Sequence, residues 1–126
     1  MELKRVALIA PDSKKENLMA FVDRHKAWFA QRELVGTGTT GGRIESLGLK
    51  VECLASGPLG GDAQIAARIT EGKLDAVMFF RDPMGKHPHE PDVNMLLRQC
   101  DVHNVALATN EATAELIVLA VNEGQR

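Results

Sequence analysis

The chain contains no tyrosine, one tryptophan and four phenylalanines among its 126 residues. So sparse an aromatic set does not supply the stacking platform that holds single-stranded nucleic acid. Charge of one sign is also missing. Fifteen basic and 17 acidic side chains leave a formal net charge of −2, so no general basic field draws in nucleic acid or anionic membrane. The two cysteines, Cys53 and Cys100, form no CxxC and no zinc-ligand cluster; they read as buried thiols in a reducing compartment. No stretch reaches the roughly 20 apolar residues of a membrane span. The apolar run near the start is broken by Pro11 and Asp12 before it attains signal-peptide length. A soluble, cytoplasmic protein is expected. What remains, 44% hydrophobic and 25% charged residues, is an ordinary globular composition with length enough for one core.

Short β-branched apolar runs alternate with segments of helical period. Strands are expected at residues 5–10 (RVALIA), 33–36, 49–55 (LKVECLA), 76–80 (AVMFF) and 105–109. Helices are expected at 13–30, 41–47, 62–71, 91–100 and 112–122. Ser13 and Glu16 have the spacing of a capping box for the first helix. The order βαβαβαβαβα implies one domain over residues 1–126: a Rossmann-like three-layer α/β sandwich on a mainly parallel five-stranded sheet. No linker, repeat or low-complexity stretch interrupts it.

In such a sheet, ligands bind outside the carboxyl ends of the strands. The polar and glycine-rich segments fall there: Pro11-Asp12, TGTTGG at 37–42, SGPLGGD at 56–62, RDPMGKHPHEPD at 81–92, and Thr109-Asn110. All five are expected to meet at one pocket. The opposite-edge loops, TEGKLD at 70–75 and CDVHN at 100–104, read as plain connectors.

GTGTTG at 36–41 matches the dinucleotide pattern GxGxxG by letter. That fingerprint belongs after the first strand, with an acid about 20 residues later; here it follows the second. No lysine of the GK[ST] type makes a P-loop either. Glycines that admit close backbone approach, N–H groups at a helix start, and the hydroxyls of Thr37, Thr39 and Thr40 suit a single terminal phosphate instead. Ser56 and the N–H of Gly57 could add donors. Asp62 starts a helix, where it is either a cap or an ionised base. His87 and His89 straddle a proline without a third ligand, which disfavours zinc. A neutral imidazole oriented by Asp82 or Asp92 fits better. Lys15, one turn into the first helix, could reach back as a point charge, and Asp12 lies at the end of the first strand.

In combination, TGTTG (37–41), SGPLGGD (56–62), FFRDP (79–83), PHEPDV (88–93) and ATN (108–110) resemble the methylglyoxal synthase family. The similarity runs over nearly the whole chain, from ALIAPDSKK to TNEATAELIV. It implies a homohexameric lyase that turns dihydroxyacetone phosphate into methylglyoxal and inorganic phosphate, with no metal or organic cofactor. Inorganic phosphate would then be a product and a possible inhibitor. By resemblance, Lys15, Thr37, Gly38, Thr39, Thr40, Ser56 and Gly57 cradle the phosphate. Asp62 is the base, His89 sits at the substrate's carbonyl and hydroxyl oxygens, and Asp12, Asp82 and Asp92 are its supporting acids. Three departures stand out. Pro11 replaces a histidine before the first-loop aspartate, Ala63 follows the expected base where glutamine is usual, and the sequence stops at Arg126, shorter than members whose tail supplies an additional basic residue. A non-catalytic ligand-binding domain of the same superfold, taking a phosphorylated metabolite, is the alternative.

Overall fold

The computed structural model describes residues 2–85 and 90–122, with residues 90–92 described through their backbone alone. The five strands are β1 (Arg5–Ile9), β2 (Glu33–Thr37), β3 (Val51–Leu54), β4 (Ala76–Phe79) and β5 (Ala106–Ala108). All pair in parallel, in the order β3-β2-β1-β4-β5. Lateral position follows sequence. Val6 to Ile9 of β1 and all of β4 are buried, as apolar runs without polar alternation must be when both faces are covered. VECL of β3 carries a glutamate and lies at an edge, half exposed. There Cys53 is exposed and only Cys100 is buried, which corrects the expectation of two buried thiols. Burial pushes the Cys100 thiol up to about 11.

The helices are α1 (Lys15–Arg24), α2 (Lys26–Ala30), α3 (Gly38–Glu45), α4 (Gly61–Thr70), α5 (Glu90–Val102) and α6 (Glu111–Ala120). One apolar cluster, with Leu18, Phe21, Phe29, Ile44 and Val118, lies between the sheet and α1, α2, α3 and α6. A second, with Ile65, Ile69, Leu96 and Cys100, lies under α4 and α5 on the other face. The chain winds outward from β1 to β3 on one face and returns to β4 on the other. The strand order therefore switches between β1 and β4, where open α/β sheets place their ligand crevice.

Two helix starts differ from the sequence expectation. The segment 13–30 is two helices, interrupted at His25 (φ −115°, ψ 31°). Its ring contacts Phe21 and its Nε2 is 2.7 Å from Glu115 Oε2 on α6, and the turn lets both Trp28 and Phe29 face inward. No Ser13–Glu16 capping box forms: the cap of α1 is Lys14, without a side-chain bond. Ser13 instead donates to Asp82, and Glu16 accepts from Arg43. Long-range partners outcompeted the local box. The second difference is α3, which begins at Gly38 rather than Gly41.

Candidate active site

A cavity of about 640 Å³ opens at the carboxyl ends of β1, β2, β3 and β4. The expected fifth contributor is elsewhere. Thr109 and Asn110 do not line it; Asn110 caps α6, accepting from the Thr113 N–H (2.9 Å) and hydroxyl (3.0 Å). β5 is the edge strand beyond β4; Thr109 O accepts from the N–H of the cavity residue Arg81 at 3.1 Å and stands behind it.

One half of the cavity is made by the segments after β2 and β3. Gly38 opens α3 with φ +54°, and a Cβ placed there would lie 3.2 Å from the Ser56 Cα. Glycine is therefore required twice over, by the left-handed backbone and by the approach of the second loop. The N–H of Gly38 donates to Ala55 O at 3.2 Å, tying the two loops together. A helix beginning here leaves the first-turn N–H groups of Thr39 and Thr40 without intrahelical acceptors, and the dipole favours an anion in front of them. Thr37, Gly38, Thr39, Ser56 and Gly57 all line the cavity. Thr40 does not: its side chain is fully buried behind the loop, and Oγ1 has no hydrogen-bond partner among the described residues.

Asp62 lies in the first turn of α4, and only 4% of it is exposed. It is not the cap. Gly60, at φ 102°, occupies that position. A Cβ on Gly57 would lie 3.3 Å from Asp62 Oδ2, so the carboxylate sits directly against the glycine loop and on the cavity wall. Gly61 permits this packing. A Cβ there would fall 1.9 Å from Ala55 O.

The other half follows β1 and β4. Lys15 is buried although it is charged; its Nζ donates to Ala10 O at 2.7 Å and lies 3.2 Å from Asp12 Oδ1. The ammonium is thus curled back over the end of β1, with the Asp12 carboxylate almost wholly in solvent beside it. Across the mouth, Ser13 Oγ donates to Asp82 Oδ2 at 2.6 Å and the Met84 N–H donates to Oδ1 at 3.0 Å. The Ser13 hydroxyl, then the Met84 N–H, hold the Asp82 carboxyl below the usual aspartate range. His87 and His89 lie outside the described residues, as does the side chain of Asp92; the backbone of Asp92 is in the first turn of α5.

Arg81 also lines the cavity, and its guanidinium makes no hydrogen bond or ion pair among the described residues. The sequence reading assigns it no role. Its place as the first polar residue after β4 was the available signal. With Lys15 it gives this crevice two cations facing three carboxylates, an arrangement suited to a small anion with a proton acceptor beside it.

Residues 17–109 match the family model described as MGS-like domain. Among similar proteins, the methylglyoxal synthase of Ralstonia nicotianae is 53% identical over 97% of this chain and 91% of its own. That of Moorella thermoacetica is 59% identical over 90% of each. A crystal structure of methylglyoxal synthase from Elizabethkingia anophelis superposes with a TM-score of 0.86 at 43% identity, covering 92% of this chain and 77% of that one.

Proposed function

The chain belongs to the methylglyoxal synthase family, and on that premise we propose that it is a carbon–oxygen lyase converting dihydroxyacetone phosphate to methylglyoxal and inorganic phosphate. The observation that carries the reading is a buried carboxylate, Asp62, on the wall of the same cavity as a glycine- and threonine-lined helix start. The phosphate lies before the Thr39 and Thr40 N–H groups, with the hydroxyls of Thr37, Thr39 and Ser56, the N–H of Gly57 and the Lys15 ammonium around it. Asp62 takes a proton from the hydroxymethyl carbon. The electron pair moves into an enediolate, whose oxygen a neutral His89 stabilises by donating a hydrogen bond. Asp12, Asp82 and Asp92 set the charge and orientation of that histidine.

The enediolate has two fates. Reprotonation gives an isomer; collapse breaks the bridging C–O bond, expels phosphate and leaves the enol of methylglyoxal, which ketonises. Collapse wins when that C–O bond stands perpendicular to the enediolate plane, so its σ* orbital overlaps the π system. A cradle that holds the phosphate in this pose commits the intermediate to elimination. Phosphate, the product, competes for the same donors and inhibits. We place the enzyme in the cytoplasm as a single domain over residues 1–126, assembled as a homohexamer.

Incubating the purified protein with dihydroxyacetone phosphate tests the reaction: methylglyoxal and phosphate are expected in equal amounts. Folded protein that binds phosphate and forms neither product would favour the second reading, a regulatory domain for a phosphorylated metabolite. Pro11 is the observation behind that second reading, since proline offers neither a side-chain donor nor an N–H at a position lining the cavity. Pro11→His should raise turnover by about one decade, the value of one hydrogen bond to a charged group. Sedimentation velocity measures the assembly.

A further inference from the structure

The opposite edge of the sheet, where the sequence shows only connectors, holds a second concavity of about 570 Å³. It is lined by Arg5, Arg32, Lys50, Arg68 and Lys73 against two acids, Glu33 and Glu52. A third of the chain's Lys and Arg residues thus face one hollow, although the chain as a whole is acidic. Some of this charge has a structural use. Arg68 grips Glu52 with both terminal nitrogens, one at 2.8 Å. Arg5 donates to Gly72 O at 3.2 Å, with Nε 3.7 Å from Asp75. Arg32 is fixed over the Trp28 ring, 3.6 Å from its centroid, and donates to the Trp28 and Val121 carbonyls.

Two cations remain uncommitted. Lys50 makes no hydrogen bond or ion pair among the described residues. Lys73 meets Glu71 at 3.4 Å in a solvent-exposed pair, of a kind that contributes little. The helix dipole accounts for Arg68, in the last turn of α4, and for Lys73 just beyond it, because cations complement the carboxyl end. It does not account for Lys50, which precedes β3, nor for the hollow between them. Five cations against two acids leave the hollow with a positive excess, and a cleft with such an excess concentrates counter-ions.

We propose that this amino-edge hollow is a second anion site, distinct from the crevice at the carboxyl edge. Its ligand is a small molecule carrying at least two phosphate or carboxylate groups. Lys50 and Lys73 close on it as mobile point charges, and Arg5 and Arg68 form the fixed wall. The proposal does not depend on what reaction the other edge performs.

The test is calorimetric titration of the full chain with pyrophosphate, and separately with citrate, at 0.15 M salt, where the Debye length of about 8 Å suppresses diffuse attraction. The expected result is a binding event that Lys50→Glu/Lys73→Glu weakens at least tenfold and Thr39→Val, at the opposite edge, leaves within twofold. Lys50→Gln/Lys73→Gln should weaken it by an intermediate factor. Both lysines are exposed, and an unchanged melting temperature certifies the fold of each variant. Preference for pyrophosphate identifies a phosphate ligand, and preference for citrate a polycarboxylate. Binding that is indifferent to the lysine substitutions, or that vanishes at 0.15 M salt, overturns the proposal. So does a change in sedimentation on charge reversal without any such binding event, since the hollow would then seat an acidic protein surface.

Discussion

The two halves of the carboxyl-edge crevice are built from different materials. Behind β2 and β3 the wall is mostly backbone: Gly38 at positive φ, Gly57 against the Asp62 carboxylate, and Gly61 pressed on Ala55 O. Behind β1 and β4 it is mostly side chain, with Lys15 folded onto Ala10 O and Asp12, and Ser13 linked to Asp82 across 69 residues of sequence. The first half has little freedom, because Gly38 sits at positive φ and a Cβ on Gly61 would run into Ala55 O. It presents donors without paying side-chain entropy. The second half is adjustable, since its charges are placed by partners that single substitutions can remove. Damage to the first should appear as lost chemistry or lost folding, and damage to the second as graded changes in binding and pH response.

The largest effect is expected where the halves meet in function, at Asp62. Asp62→Asn keeps the size and removes the proposed base, so kcat should fall by about a thousandfold, within the usual span of general-base catalysis. Phosphate binding by calorimetry should survive. If the variant turns over normally, Asp62 is a structural member of the α4 first turn and the base lies elsewhere.

Next is Gly61→Ala, a test of how rigid the backbone half is. The new methyl would sit 1.9 Å from Ala55 O, and backbone cannot move aside as a side-chain tip can. Overpacking of this kind costs about 1–3 kcal/mol, and a contact with a carbonyl belongs at the top of that range. Denaturant unfolding reads it directly. A loss below about 0.5 kcal/mol, the scale of an ordinary surface change, would mean the two loops are not locked.

Legibility in the sequence follows the same division. TGTTG and SGPLGGD announce the backbone half, because glycine clusters at strand ends have few structural explanations. The central strands β1 and β4 were readable for a similar reason, as apolar runs covered on both faces look alike in any chain. Of the side-chain half, Asp12, Lys15 and Asp82 were named from the sequence and line the cavity, but the partners that hold them were not readable. Ser13 and Glu16 have capping-box spacing, yet Asp82 and Arg43 claim them from far along the chain. At the interruption, His25 meets Glu115, 90 residues away. Arg81 gave no motif, only a position. Periodicity reports local structure, and these choices are set by tertiary partners.

Lys15→Met examines the adjustable half at its most buried member. The thioether fills the space of the stem, but the charge and the bond to Ala10 O are lost. For a phosphorylated substrate KM should rise roughly 10- to 100-fold, the scale of one hydrogen bond to a charged group, while kcat falls less. A thousandfold loss in kcat with unchanged KM would instead move Lys15 into the chemical step.

The smallest expected change is the most diagnostic of the contrast. Ser13→Ala removes the hydroxyl that, more than any other group, keeps Asp82 ionised below its ordinary value of 3.8. A carboxyl with a lowered folded-state pKa adds stability above its unfolded value, and that contribution disappears as pH falls through the folded one. Without Ser13 the folded pKa climbs back towards 3.8, so the acid side of both the stability and the activity profiles should move to higher pH. At neutral pH Asp82 remains charged in either protein, and turnover should drop only a few-fold through the loosened link between the β1 and β4 loops. Ser13→Thr retains the hydroxyl and should restore the wild-type acid limb. If alanine and threonine behave alike, the 2.6 Å contact does not set the charge on Asp82, and the Met84 N–H suffices to hold it.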